Sequence, residues 1–334
     1  MASSQVTDGM ELETSREFWA VVLAGGEGVR LRPLTRRLYG DARPKQYACL
    51  VGARSLLRQT LDRVGLAVPA DRTIVVTVEG QEAYLDEALD GVKVRRVLVQ
   101  PESKGTAAAV LLAANCIQWL DRRAIMAVFP SDHFISDEER FVEHVVDVVG
   151  TVGEQPEWLG LVGARPTAPA RDHGWIRPGE VVGWTPAGDP VSRVLQFWEK
   201  PTAAAARDCQ AGGWLWSTFI VVTKVSHLLE VAARYLPNLS ERMAMIAPLW
   251  ETDREAWAVR QAYAFAPRAG LSRAILELCP EGLVVSRLPD VLWSDWGTPR
   301  HVIDTLRKAR LLPSWFEERD LLDHPATAPL LPSG

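Results

Sequence analysis

The stretch WAVVLAGGEGVRLRPLT, residues 19–35, decides how this chain is read. Trp19–Ala24 is an unbroken apolar run with a β-branched centre, and glycines follow it, so it is expected to be a short buried strand. Gly25, Gly26 and Gly28 then form a turn at the strand's carboxyl end. Ligands of open α/β sheets bind at that edge. Glycine lets a backbone approach a phosphate closely and aim its amides at it. Arg30 follows with a planar cation suited to phosphate oxygens.

Two familiar phosphate-binding patterns do not fit. A dinucleotide-binding G-x-G-x-x-G starting at Gly26 needs glycine at position 31, which is Leu31, and no G-x-x-x-x-G-K-[ST] is present. The charge pattern nevertheless points to a polyanion. Between Gly25 and Leu50 lie Arg30, Arg32, Arg36, Arg37, Arg43 and Lys45 against only Glu27 and Asp41, a net +4.

Outward from the turn, apolar runs alternate with helical patterns. Strands are expected at 73–78, 94–99, 124–129 and 159–164, and helices at 55–64, 81–89, 106–120 and 136–149. This alternation predicts an α/β fold: a Rossmann-like, mixed but mostly parallel sheet with helices on both faces. The second half is less regular. Strands are expected at 191–199, 218–222 and 283–288, with helices at 224–235, 254–263 and 300–309, supplying a substrate-binding lobe. Residues 1–17 read as a flexible tail, 18–310 as one catalytic domain and 311–334 as a proline-containing extension.

Composition narrows the class. The 334 residues can bury a sizeable core, and 47% apolar with 24% charged is ordinary for a globular chain. No apolar run reaches the length of a membrane span, and the acidic start is not a secretory signal. A net charge of −5 argues against a nucleic-acid partner. Cys49, Cys116, Cys209 and Cys279 lack metal-ligand spacing and suit reduced packing residues of a cytoplasmic protein.

Two acids follow apolar stretches. Asp132 sits in FPSDH after the 124–129 strand, where an aspartate also suits a helix N-cap, and Asp295 sits in WSDWG, where it also suits a turn. Spacing alone does not bring them together.

LAGGEGVRLRPLT followed by RPKQY resembles the nucleotide-binding signature of sugar-1-phosphate nucleotidyltransferases, and the Pro-Lys-Gln form is most similar to mannose-1-phosphate guanylyltransferases. The resemblance covers about residues 18–308 and implies no fused isomerase domain of the kind some relatives carry. It implies that the Leu23, Ala24, Gly25, Gly26, Glu27 and Gly28 segment cradles the triphosphate, that Arg30 and Lys45 neutralise it, and that Asp132 and Asp295 hold Mg²⁺. His133 is expected to be structural. Gln100, Glu102, Gly105 and Thr106 fall in a segment similar to the base-reading loop, with Lys104-Gly105 in place of Arg-Asn. Gly174 of DHGWI, Glu199-Lys200 of FWEKP, and Ser217-Thr218 after Trp214 resemble the sugar-phosphate contacts, with Ser217 where the family carries an amide. The implied substrates are GTP, or another nucleoside triphosphate, and mannose 1-phosphate, with a homodimer possible. A sister enzyme acting on another hexose or heptose phosphate or another base stays open. So do a catalytically silent nucleotide-sugar-binding regulator and, against the missing glycine, an oxidoreductase.

Overall fold

The computed structural model describes residues 17–279 and 281–316. The expected N-terminal tail, apart from Glu17, and most of the expected C-terminal extension lie outside the described residues. The first part of that extension does have a place: Trp315 Nε1 donates to the Leu50 carbonyl at 2.9 Å.

Eleven strands are described: β1 (Phe18–Leu23), β2 (Thr73–Val78), β3 (Arg96–Gln100), β4 (Ile125–Pro130), β5 (Phe134–Ile135), β6 (Leu159–Ala164), β7 (Gly174–Trp184), β8 (Pro190–Glu199), β9 (Leu215–Lys224), β10 (Leu283–Arg287) and β11 (Trp293–Ser294). Nine of them form one sheet in the order β3-β2-β1-β4-β9-β6-β10-β8-β7, while β5 and β11 pair separately. β1 runs parallel to β2 and β4, β2 to β3, and β6 to β10. β9 lies antiparallel between β4 and β6, and β7 and β8 add an antiparallel hairpin. The fold is therefore the mixed, mostly parallel α/β sheet expected, and the strands carrying Gly174 and Glu199 extend that same sheet.

Burial explains why the first strands carry no polar alternation. One sheet face packs on the helices Thr106–Leu120, Val225–Tyr235, Pro237–Ala244 and Glu255–Ala264, and the other on Leu56–Val64, Glu138–Glu154 and Ala203–Ala211. A strand covered on both sides must be apolar at every position. A third, smaller core joins Leu31, Leu34, Leu50, Phe134 and Trp296 to the helix Pro299–Ala309, which holds the Asp295 segment against the first strand's turn.

Local signals set several helix starts. Ser55 accepts from the Arg58 amide, Asp137 from that of Arg140 and Thr298 from that of His301, each satisfying an amide the helix leaves free. No helix among the described residues is long and apolar enough to cross a membrane. Cys116, Cys209 and Cys279 are buried, Cys49 is partly exposed, and all four are free thiols.

β7 was not expected from the sequence. Gly174, Pro178, Gly179 and Gly183 interrupt its apolar pattern, and its pairing with β8 shifts register three times. The helices Arg32–Tyr39, Ala203–Ala211 and Pro237–Ala244 were likewise unexpected.

Candidate functional site

The glycine-rich turn leaves β1 at the carboxyl edge and is held from below. Gln46 Nε2 donates to the Ala24 and Gly26 carbonyls, both at 2.7 Å, and the Tyr47 hydroxyl reaches the Ala24 carbonyl at 3.2 Å. Both side chains are buried. Gly28 has φ +58°, and a Cβ there would stand 2.8 Å from the Lys45 amide nitrogen, so glycine is required. A Cβ on Gly26 would meet nothing within 4 Å, which leaves that side of the turn open to a ligand. Glu27 is exposed and pairs with Arg32 at 3.0 Å, and the Leu23 carbonyl accepts from Ser131 Oγ at 2.6 Å. Sequence reasoning assigned Lys45 of the Pro-Lys-Gln-Tyr segment a role but missed the two residues after it, whose signal was only their place in the motif. Removing a buried partner of two carbonyls costs about 1–3 kcal/mol. Gln46→Ala is expected to lose that much stability in denaturant unfolding, and a change under about 0.5 kcal/mol, the scale of a neutral surface substitution, would show that Gln46 does not brace the turn.

The charged side chains converge on this turn. A cavity of about 250 Å³ is lined by Gly28, Val29, Arg30, Leu31, Lys45, Asp132 and Gly297. Lys45 Nζ contacts Asp132 Oδ2 at 3.1 Å and donates to the Asp295 carbonyl at 2.6 Å. The chain order thus separates residues that the carboxyl ends of β1, β4 and β11 reunite.

Asp295 stands at the centre of a second set of contacts. Its Oδ1 lies 3.5 Å from His173 Nε2 and 3.4 Å from His301 Nδ1, and accepts from the Gly297 amide at 3.1 Å. Burial pushes the Asp295 carboxyl up, but hydrogen bonding from His173 and His301, with the His173 and Lys45 charges, outweighs it and holds the group well below the usual carboxylate range. Asp172 is held low in the same way: burial opposes the charge, and His173 more than offsets it. Asp172 Oδ2 also takes Arg30 Nη1 at 2.7 Å. Burial disfavours a charged His173 ring, yet the carboxylates of Asp172 and Asp295 raise it to about 9, so it stands as an imidazolium between them. The ring is stacked on Trp216, with centroids 4.6 Å apart. Of this cluster only Asp295 and Arg30 were expected. The Asp-His pair just before Gly174 was visible in the sequence, but nothing local joined it to residue 295.

His133 behaves as a structural residue. Burial lowers it to about 4, leaving the ring neutral, and Trp293 Nε1 donates to its Nδ1 at 3.3 Å.

The segment similar to a base-reading loop is only partly available to a ligand. Gln100 is buried, with Nε2 on the Thr77 carbonyl at 3.1 Å and Oε1 accepting from the Tyr263 hydroxyl at 3.1 Å, so its side chain braces the floor beneath Gly25. Glu102 is exposed and pairs with Lys104 at 3.0 Å and Arg268 at 3.6 Å. Gly105 has φ +90°, and any side chain there would run into the Ala269 carbonyl. Thr106 is exposed and accepts from the Leu271 amide at 2.9 Å.

On the sugar side, Gly174 lies directly opposite Glu199 across β7 and β8, and a Cβ on it would meet Glu199 Oε2 at 2.9 Å. Lys200 adopts φ +52°, its amide donates to the His173 carbonyl at 3.2 Å, and its Nζ lies 3.5 Å from Glu199 Oε1. The Glu199 amide donates to Glu277 at 2.5 Å, and Glu277 directly follows the π-helical turn Ser272–Leu276. Ser217, Thr218 and Phe219 lie where the pairing of β6 with β9 shifts register, with Phe219 at φ +61°. Ser217 Oγ accepts from the Phe219 amide at 3.2 Å. Thr218 is wholly buried, its hydroxyl donating to the Val162 carbonyl at 2.7 Å, so its side chain shapes the bulge from inside.

Known proteins are similar to this chain over most of its length. The family model for Nucleotidyl transferase matches residues 19–310. The Xanthan biosynthesis protein XanB of Xanthomonas campestris pv. campestris (strain B100) is 32% identical over 291 residues, covering 85% of this chain and 58% of that protein. A mannose-1-phosphate guanylyltransferase of Escherichia coli (strain K12) is 28% identical, again over 84% of this chain and 58% of its own. The chain therefore spans little more than half the length of these curated relatives. A crystal structure described as a mannose-1-phosphate geranyltransferase from Thermus thermophilus superposes with a TM-score of 0.74 at 28% identity, over 89% of this chain and 80% of that one. With its sheet, its glycine-rich turn and this match over residues 19–310, the chain belongs to the nucleotidyl transferase family.

Proposed function

We propose that the chain transfers a nucleotidyl group from a nucleoside triphosphate to a sugar 1-phosphate with release of pyrophosphate, and that GTP and mannose 1-phosphate are the preferred pair. The observation that carries this reading is the convergence of Arg30, Lys45 and Asp132 on one cavity at the glycine-rich turn. The name of the Escherichia coli relative at 28% identity, a mannose-1-phosphate guanylyltransferase, supports the choice of pair.

A phosphate oxygen of the sugar phosphate attacks the α-phosphorus. A new P–O bond forms there, the bond to the β-phosphate's bridging oxygen breaks, and its electrons leave with pyrophosphate. The attacking oxygen is already ionised, so no side chain needs to act as nucleophile or base. The turn's backbone positions the triphosphate, and Arg30 and Lys45 stabilise charge on the transferring group. Glu199 orients sugar hydroxyls and Lys200 meets the sugar phosphate, with Glu277 fixing the Glu199 backbone through its amide. Asp132 and Asp295 fit Mg²⁺, which favours carboxylate oxygens. Neutral His133 and Lys45 flank Asp132 without using all its lone pairs, and Asp295 is held ionised. Bound there, Mg²⁺ would supply charge neutralisation between the two phosphates.

The test is pyrophosphate release with Mg²⁺ across four nucleoside triphosphates and several sugar 1-phosphates, beside Asp132→Ala. GTP with mannose 1-phosphate is expected to exceed other pairs by roughly tenfold or more, the scale of pocket discrimination, and the variant is expected to be silent. Preference for another pair keeps the reaction and discards the pair. Failure with every pair overturns the reading.

A further inference from the structure

Asp172 and His301 have no part in the transfer outlined above, yet with Asp295 they form a compact cluster. One ligand atom from each lies within 4.8 Å of the others: two carboxylate oxygens and one imidazole nitrogen. They come from three places in the fold: just before Gly174 and β7, the turn after β11, and the first turn of the helix Pro299–Ala309. Ligands about 2.0–2.2 Å from one ion stand at most about 4.4 Å apart. A few tenths of an ångström of side-chain movement closes the set.

Two of the three residues are reached from a different side than the glycine-rich turn, while Asp172 lines neither cavity and meets Arg30, which lines the small one. Asp295 and His301 line a cavity of about 660 Å³ walled by Trp216 and Trp293, whereas Asp132 lines the small cavity at the turn. The larger space has room for the waters that complete a coordination sphere. Asp132 faces Lys45 instead, which already neutralises one of its oxygens.

We propose that Asp172, Asp295 and His301 form a divalent-cation site that takes Mn²⁺ in preference to Mg²⁺. The donor set decides the preference. Mg²⁺ favours oxygen ligands alone, while an imidazole nitrogen beside two carboxylates suits a first-row transition ion. Two cations oppose binding. His173 stands between the carboxylates, and Arg30 covers Asp172 Oδ2. Arg30 is about half exposed and single-pointed on Asp172, so it gives way readily. Asp295 is common to this site and to the Asp132–Asp295 pair assigned to Mg²⁺.

The experiment is Mn²⁺ titration of the protein alone, followed by electron paramagnetic resonance, with no nucleotide or sugar phosphate. Pyrophosphate release can therefore fail while this site stands, and the reverse. Wild type is expected to bind one tightly held Mn²⁺ and to show spin-echo modulation from a directly bound nitrogen. His301→Gln is expected to abolish the nitrogen signal, and both it and Asp172→Asn to weaken binding by about tenfold or more, the scale of losing a metal-site partner. Arg30→Ala is expected to tighten binding by up to about fivefold, the worth of an exposed ion pair. Asp132→Asn is expected to leave it unchanged. Mn²⁺ held without a nitrogen signal, or lost in Asp132→Asn but kept in Asp172→Asn and His301→Gln, assigns the ion to the Asp132–Asp295 oxygens and overturns the proposal. Absence of binding at millimolar Mn²⁺ overturns it as well. Thermal unfolding of each variant separates loss of the site from loss of the fold.

Discussion

Asp295→Asn is expected to lower turnover for pyrophosphate release by about 10³-fold or more, while the protein stays folded. Groups that stabilise charge in phosphoryl-type transfer are worth about 10³–10⁵ in rate. Asparagine keeps the shape and can still accept from the Gly297 amide, as Asp295 does at 3.1 Å. What it loses is the negative charge. That charge is firmly held, because hydrogen bonding from His173 and His301 outweighs the burial that would neutralise it. His173 would be left with Asp172 as its remaining acidic neighbour, and Arg30 would stay on Asp172. The measurement is the steady-state rate at saturating substrates and Mg²⁺, beside a thermal unfolding curve. A rate within tenfold of wild type would exclude Asp295 from the metal site. A rate lost together with the unfolding transition would place the residue's role in folding.

Lys45→Ala is expected to lower turnover by about 10²–10³, the cost of losing one preorganised charge-stabilising donor. The ammonium is nearly enclosed and bridges Asp132 Oδ2 and the Asp295 carbonyl at 3.1 and 2.6 Å, with the Trp296 carbonyl at 3.4 Å. It therefore fixes the distance between the two loops that carry the acids, as well as facing the small cavity beside Arg30. Lys45→Arg keeps the charge but replaces a compact, rotatable donor with a planar fork, which does not match acceptors from two loops. Its rate is expected to stay well below wild type. The loss should fall on turnover more than on apparent affinity, since in the proposed reaction Arg30 and the turn's amides would still hold the triphosphate. Near-normal turnover in Lys45→Ala would end the role assigned to it here.

Alone, the sequence determined the local order of the fold and the identity of the turn. The helix at Thr106–Leu120 and the strands at Thr73–Val78 and Leu159–Ala164 have the boundaries their apolar patterns predicted, because those segments are packed on uniform faces. Arg30, Lys45 and Asp132 were readable as a group through the motifs around them, and the structure brings them to one cavity.

Other features were decided only by the tertiary structure. β9 reads as a strand from its own residues, but its insertion between β4 and β6 depends on which edges were left to pair. β7 was hidden by its glycines and proline, since a strand can keep its ladder through bulges that erase its periodicity. Gln100 and Thr218 turned inward, where their polar atoms bond the sheet's own backbone. The His173 imidazolium between Asp172 and Asp295, with His301 beside it, joins residues more than 120 positions apart. Periodicity and caps record interactions within a few residues. A charge cluster is set by how three loop ends meet at the edge of a folded sheet, and that meeting exists only after the sheet has formed.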